Sequence, residues 1–370
     1  MQSRLVEEFL ELVQIDSETK HEEVIAPILV EKLQAMGFDV VQDDSYTRTG
    51  HGAGNIIATL NGTLNVEPIY FTVHMDTVVP GKGIQPEIRE DGYIYSDGTT
   101  ILGADDKAGM AAVFEMIRRL KEQSIEHGTI QLIITAGEES GLVGAKELDS
   151  SLIIAKYGFA VDSDGKVGGI VTAAPFQAKI NVKVFGKKAH AGVAPEKGIS
   201  AITVASKAIA QMKLGRLDEE TTANIGRFEG GQATNIVCDE VTIFAEARSI
   251  DEAKLNAQTA HMKETFERVA EEMGARAEVD IVLAYPGFRV TEEDKVVQVA
   301  IAAAKAINRQ PQLGISGGGS DANVIAGFGI PTVNLSVGYE EIHTTNERMP
   351  IEELEKLADY LVEIVKHTTK

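Results

Sequence analysis

Apolar positions along this chain change period several times, and the changes mark its elements. The opening MQSRLVEEFLELVQID interleaves acidic and apolar residues as an amphipathic helix does. A second helix is predicted over residues 22–36, with Val24, Ile25, Ile28, Leu29 and Leu33 on one face and Gly37 suited to its end. Short apolar runs follow at 55–60, 69–73, 130–135, 158–161 and 332–337, each bounded by turn residues. Such runs predict strands buried on both faces, as in a parallel sheet. Between two of them, residues 107–121 carry Met110, Val113, Phe114, Ile117 and Leu120 at helical spacing. Strands alternating with helices predict an α/β fold, a sheet sandwiched by helices.

The pattern shifts near Pro175. From Phe176 it reads strand (AKINVKVFG), helix (200–212), strand (224–228), strand (235–248), helix (251–273) and strand (277–283). That β-α-β-β-α-β order is the ferredoxin-like arrangement. Pro286-Gly287 closes it, and a helix at 293–308 and another apolar strand return to the first pattern. The expectation is a discontinuous larger domain, 1–175 plus 288–370, with a smaller α+β domain inserted at 176–287. A chain of 370 residues also favours two cores over one.

Composition narrows the function. With 44% hydrophobic and 25% charged residues the chain has the make-up of a globular protein. A formal charge of −21 argues against a nucleic-acid surface, which needs clustered Lys and Arg. No apolar run reaches membrane-span length, and the amphipathic start is no signal peptide, so a cytoplasmic address is expected. Cys238 is the single cysteine, which excludes an intrachain disulfide and a thiolate zinc cluster. A metal would be held by His and carboxylate.

Those residue types collect at strand ends. His74 and Asp76 follow IYFTV, Glu138 and Glu139 follow IQLIITAG, and Asp162 ends GFAV. Asp105 lies in GADDKAG just before a helix, and His343 lies in the loop after TVNLSVG. Singly, each has an ordinary explanation: a turn residue, a helix cap or a solvated glutamate pair. Together they converge on one edge of one sheet, where open α/β sheets bind ligands. Two His and three carboxylates suit Zn²⁺, Mn²⁺ or Co²⁺, and a shared carboxylate can hold two ions about 3.5–4 Å apart. Asp76 is placed to fix the tautomer of His74. Of an adjacent Glu pair, one can bind metal while its neighbour serves as general base.

The segments HMDTV (74–78), GADDKAG (103–109), AGEESG (136–141), VDSD (161–164) and EIHTTNE (341–347) resemble the co-catalytic zinc exopeptidases. That family includes peptidase T, carboxypeptidase G, succinyl-diaminopimelate desuccinylase and aminoacylase, and the match is nearest the peptidase T branch. The resemblance implies a zinc-peptidase α/β domain with a lid that commonly dimerises, hence a homodimer. It implies two Zn²⁺ ions, replaceable by Co²⁺ or Mn²⁺: one held by His74 and Asp162, the other by Glu139 and His343, with Asp105 bridging. Asp76 would orient His74, Glu138 would be the base, and the peptide bond after Asp105 would be cis. Within the inserted domain, His190 in GKKAHAG matches a histidine that helps hold the oxyanion, while Asn235 and Arg248 match substrate-contacting positions. The stretch from Ser316 to Asp321, SGGGSD, lacks the Arg that bacterial tripeptidases carry there to meet the substrate carboxylate.

The implied activity is hydrolysis of an amide bond in a short peptide, most simply by an aminopeptidase. A deacylase of N-acyl amino acids would use the same metal site. A non-catalytic metal binder has no need of Glu138, and phosphoryl transfer lacks its glycine-rich loop, since SGGG is not followed by Lys-Ser/Thr. The remaining histidines, His21, His51, His127, His261 and His367, read as structural or exposed, away from the strand ends.

Overall fold

The computed structural model describes residues 2–369. They divide into two compact units. The described residues of Met1–Ala173, Arg289–Ser316 and Ser320–Lys370 form the first, and Ala174–Phe288 with Gly317–Gly319 form the second.

The first unit is built on a nine-stranded sheet. Its central run, in spatial order, is Asp39–Gln42, Ile56–Leu60, Ile130–Thr135, Ile69–His74, Tyr157–Ser163, Thr332–Ser336 and Gly169–Ala174. The four strands from Ile130–Thr135 to Thr332–Ser336 are mutually parallel. Ile56–Leu60 runs antiparallel to both its neighbours, so the sheet is mixed where uniform burial had predicted a parallel one. Burial on both faces records only that both faces are covered; it carries no information on direction.

Alternate residues of each strand enter different cores. Ile56, Ala58, Phe71, Leu132 and Ile134 face a large helical layer made by Arg4–Val13, Ile25–Ala35, Ala104–Glu122, Lys295–Ala306 and Ile351–His367. Ile57, Tyr70 and Ile133 face the opposite way, onto Leu148, Ala155 and Ile325. Ala104–Glu122 sits at the centre of the large layer, and Gly109 lets it close on the sheet: a Cβ there would lie 2.4 Å from the Val161 carbonyl oxygen.

The second unit runs Phe176–Phe185, Ala201–Ala210, Thr221–Gly230, Glu240–Ser249, Glu252–Glu272 and Arg276–Tyr285, a β-α-β-β-α-β order. Its sheet has the spatial order Gly215–Arg216, Thr221–Gly230, Glu240–Ser249, Phe176–Phe185, Arg276–Tyr285, with antiparallel pairing throughout. Ile180, Val182 and Val184 pack with Val204, Met262 and Phe266 in a core of its own. The strand expected over 235–248 begins only at Glu240. Residues 234–235 form a turn, because the Asn235 carbonyl accepts the Ala191 N–H and the Cys238 carbonyl accepts the Ala201 N–H instead of a strand neighbour.

Candidate metal centre

Three parallel strands deliver their carboxyl ends to one edge of the first unit's sheet. His74 is the last residue of Ile69–His74, Glu138 and Glu139 follow Ile130–Thr135, and Asp162 lies near the end of Tyr157–Ser163. Asp105 and Asp106 enter from the head of Ala104–Glu122, where their dihedrals are not helical and the bond between them is cis. His343, at φ 63°, comes from the loop beyond Thr332–Ser336.

The geometry centres on Asp105. Its Oδ1 lies 3.1 Å from His74 Nε2, and its Oδ2 lies 3.1 Å from His343 Nε2. Asp162 Oδ1 is 3.7 Å from the same nitrogen of His74, and Glu139 Oε1 is 2.9 Å from that of His343. One carboxylate thus faces two imidazoles, each with a second carboxylate at its side. His74, Asp105 and Glu139 also offer ligand atoms close enough to share an ion, as do His74, Asp106 and Asp162.

Asp76 does more than attend His74. The nearer partner of His74 Nδ1 is the Asp76 main-chain carbonyl at 2.9 Å; the carboxylate stands at 3.6 Å. That carboxylate accepts the N–H groups of Glu138 (2.9 Å) and Glu139 (3.2 Å) and the Thr19 hydroxyl. It therefore pins the loop bearing both glutamates.

The electrostatics are those of a site short of positive charge. Burial pushes the Asp162 carboxyl up to about 6 and the Asp321 carboxyl up to about 7. Burial, then the charges of Asp162, Asp321 and Glu139, drives the Glu138 carboxyl well above the usual range. Burial alone would lower His74; the Asp105, Asp162 and Asp76 carboxylates outweigh it and hold the imidazole well above its ordinary value. Hydrogen bonds to Asp105 and Glu139 lift His343 to about 10. Asp105 goes the other way: burial would raise it, but His343 and His74 bring it well below the carboxylate range. Asp106 Oδ1 and Asp321 Oδ1 are buried and accept no hydrogen bond among the described residues. Buried carboxylates in excess of their cations, with orphaned oxygens and two imidazoles, are the donor set that divalent cations satisfy.

Three residues at this edge escaped the sequence reading. His51 does not lie away from the strand ends: its Nε2 is 2.8 Å from Ser140 Oγ, and its ring lies where a Cβ on Gly137 would be, 2.4 Å from Nε2. Glu347, buried, accepts the N–H groups of Leu102, Gly103 and Asp105. Lys107, fully buried with its ammonium pulled down to about 7 by burial, donates to the Ile15 carbonyl at 2.8 Å. Glu347 and Lys107 stood inside recognised motifs; for Lys107 a charged residue at the head of a predicted core helix was the available signal, and for Glu347 there was none.

The other candidates lie in the second unit. His190 is exposed, its Nδ1 accepting the Gly192 N–H, and it pairs by a β-bridge with Ile236, next to Asn235. Arg248 donates through Nε to Glu246 (2.9 Å) and through Nη1 to the Gly317 carbonyl (3.1 Å).

The profile described as "Peptidase family M20/M25/M40" matches residues 70–367. The chain is 64% identical over 369 residues to the uncharacterized protein YqjE of Bacillus subtilis (strain 168), covering 100% of this chain and 99% of that protein. Its fold superposes at TM-score 0.96 on the crystal structure of aminopeptidase PepT from Bacillus cereus, with 65% identity over 99% of this chain and 98% of that one. A tripeptidase structure from Staphylococcus aureus gives the same TM-score and coverage at 53% identity. The resemblance read from the five motifs is borne out: the chain belongs to peptidase family M20/M25/M40.

Proposed function

We propose that this protein is a two-zinc aminopeptidase that hydrolyses short peptides in the cytoplasm, with tripeptides as the first substrates to try. The observation that carries the reading is Asp105 facing His74 with one carboxylate oxygen and His343 with the other, at 3.1 Å each. In this reading His74 and Asp162 hold one ion, Glu139 and His343 the other, and Asp105 both. Bound there, divalent ions would polarise the scissile carbonyl and stabilise negative charge on its oxygen. Glu138 would take the proton of the attacking water on its carboxylate and pass it to the leaving amine. Asp76 would hold Glu138 and Glu139 in place by their N–H groups. The aminopeptidase and tripeptidase names of the Bacillus cereus and Staphylococcus aureus structures support the substrate class.

The domain bounds 1–175 plus 288–370 and 176–287 belong to this proposal, as does a homodimer formed through the smaller domain. In that domain we assign His190 as the histidine that helps hold the oxyanion, and Asn235 and Arg248 as substrate-contacting residues, on the resemblance of their motifs. Among the described residues no helix is long and apolar enough to cross a membrane.

The test is to load the protein with zinc or cobalt and compare cleavage of one tripeptide with that of its N-acetylated form, for wild type and Glu138→Ala. Cleavage of the free-amine form alone supports the aminopeptidase; preference for the acetylated form replaces it with an N-acyl amino acid deacylase. Glu138→Ala should bind metal as wild type does and lose turnover by about 10²–10⁴-fold. Near-normal turnover in that variant would remove Glu138 from its role.

A further inference from the structure

Glu347 has no part in the reading above. It is 1% exposed, and in place of a cation it faces three backbone amides. Its Oε2 accepts the N–H groups of Leu102 and Gly103 at 2.8 Å each, and its Oε1 accepts that of Asp105 at 3.1 Å. These amides converge because Gly103 is left-handed, at φ 74°, just before the helix Ala104–Glu122. Glu347 also stands four residues beyond His343 in the same loop, where its own N–H bonds the Thr344 carbonyl (3.2 Å). One buried carboxylate therefore ties the segment bearing Asp105 to the segment bearing His343.

We propose that Glu347 is a positioning residue that fixes His343 relative to Asp105, so that the second metal position, shared by His343 and Glu139, is complete. The inference rests on the two-metal reading. The side chain is chosen by its chemistry. Both oxygens accept, and a carboxyl group is the side-chain end of that reach with an acceptor oxygen at each tip. A glutamine could serve Leu102 and Gly103 through its oxygen, but its NH₂ would then confront the Asp105 N–H, donor against donor. An aspartate falls one methylene short. Residues that orient metal ligands in this way change metal affinity by about 10–100-fold when they are altered.

The test uses the full chain as wild type, Glu347→Gln and Glu347→Asp. Zinc stoichiometry and affinity are measured by competition with a chromophoric chelator. The visible spectrum of the cobalt-loaded protein, the thermal transition of the metal-free protein, and kcat and KM on a peptide that wild type cleaves are measured alongside. The expected result for Glu347→Gln is a metal-free transition like that of wild type. The zinc at the position of His343 and Glu139 should bind about 10–100-fold more weakly, and the one held by His74 and Asp162 should be weakened less. The cobalt spectrum should change, and kcat should fall with KM nearly constant. A His343→Ala variant should lose the same weak site, and adding Glu347→Gln to it should weaken metal binding no further. Two zinc ions bound by Glu347→Gln as in wild type, with the cobalt spectrum unchanged, would overturn the proposal. So would equal weakening of both ions, or failure of both variants to fold without metal, because each assigns Glu347 to general stability. A wild type that binds fewer than two ions sinks the two-metal reading itself, which keeps the two failures distinct.

Discussion

At the scale of single residues, the loop carrying Glu138 and Glu139 is held from two sides. Asp76 takes its N–H groups, and on the other side His51 meets Ser140 Oγ while its ring fills the space above Gly137. Gly137 has φ 68°, where a side chain costs about 1–2 kcal/mol, and an added Cβ would also lie 2.4 Å from His51 Nε2. Gly137→Ala should therefore destabilise the protein by more than the backbone strain alone, about 2–4 kcal/mol in urea denaturation. In a His51→Ala background the collision disappears and only the strain remains, so the same substitution should cost about 1–2 kcal/mol. Equal costs in the two backgrounds would show that His51 does not brace the loop. The contact was invisible in sequence, because a histidine packed on a glycine leaves no spacing pattern.

At the scale of elements, three helices of the large layer are joined through Glu115. It lies in Ala104–Glu122 and meets Arg4 Nε of the first helix at 2.9 Å and Arg119 Nε at 2.8 Å. Arg119 in turn reaches Asp359 of Ile351–His367 at 2.8 Å. Burial would raise the Glu115 carboxyl, but the bonds from Arg4 and Arg119 hold it below its ordinary 4.5. A carboxyl depressed in the folded state adds stability that is present above the unfolded value and lost as pH falls through the folded one. Glu115→Gln should thus cost about 1–3 kcal/mol near pH 7, and the difference should shrink steadily as pH is lowered below 4.5, read from urea midpoints along a pH series. A difference that stays constant across the series would assign the loss to packing instead of charge. These helices also show what was legible in the sequence. The strands at 130–135 and 332–337, and the helix of Met110 and Val113, announced themselves by uninterrupted or periodic apolar residues. Ile351–His367 carries the same kind of signal in Leu354, Leu357, Ala358 and Leu361 and went unread, whereas Asp39–Gln42 is a largely exposed edge strand with no alternation to read. The ligand candidates stood out because each is a polar residue closing an apolar strand or opening a helix. Glu347 did not, because its partners are backbone amides and no side-chain pattern encodes them.

At the scale of the whole molecule, the two units divide the chemistry as they divide the cores. All five candidate metal ligands, His74, Asp105, Glu139, Asp162 and His343, belong to the first unit. The second has a separate core in which Ile180, Val184, Val204, Ile243 and Met262 are 0% exposed. The acidic balance of the chain, 56 Asp and Glu against 35 Lys and Arg, is too large for the site to explain, so most of it is surface charge and survives metal binding. A ligand stabilises what it binds in the folded state, by about 2.7 kcal/mol at a free concentration of 100 Kd. Zinc should therefore raise the calorimetric transition of the first unit and leave that of the second where it was. Residues 174–288 expressed alone should unfold cooperatively at a temperature indifferent to zinc or chelator. The comparison separates two thermodynamic descriptions of this M20 peptidase. If zinc moves one transition and the isolated segment reproduces the other, the inserted unit is stable on its own core, and metal loss leaves it folded. If the intact chain melts once and that single transition moves with zinc, the metal centre stabilises both units, and removing the ions should expose the whole chain to proteolysis rather than the first unit alone.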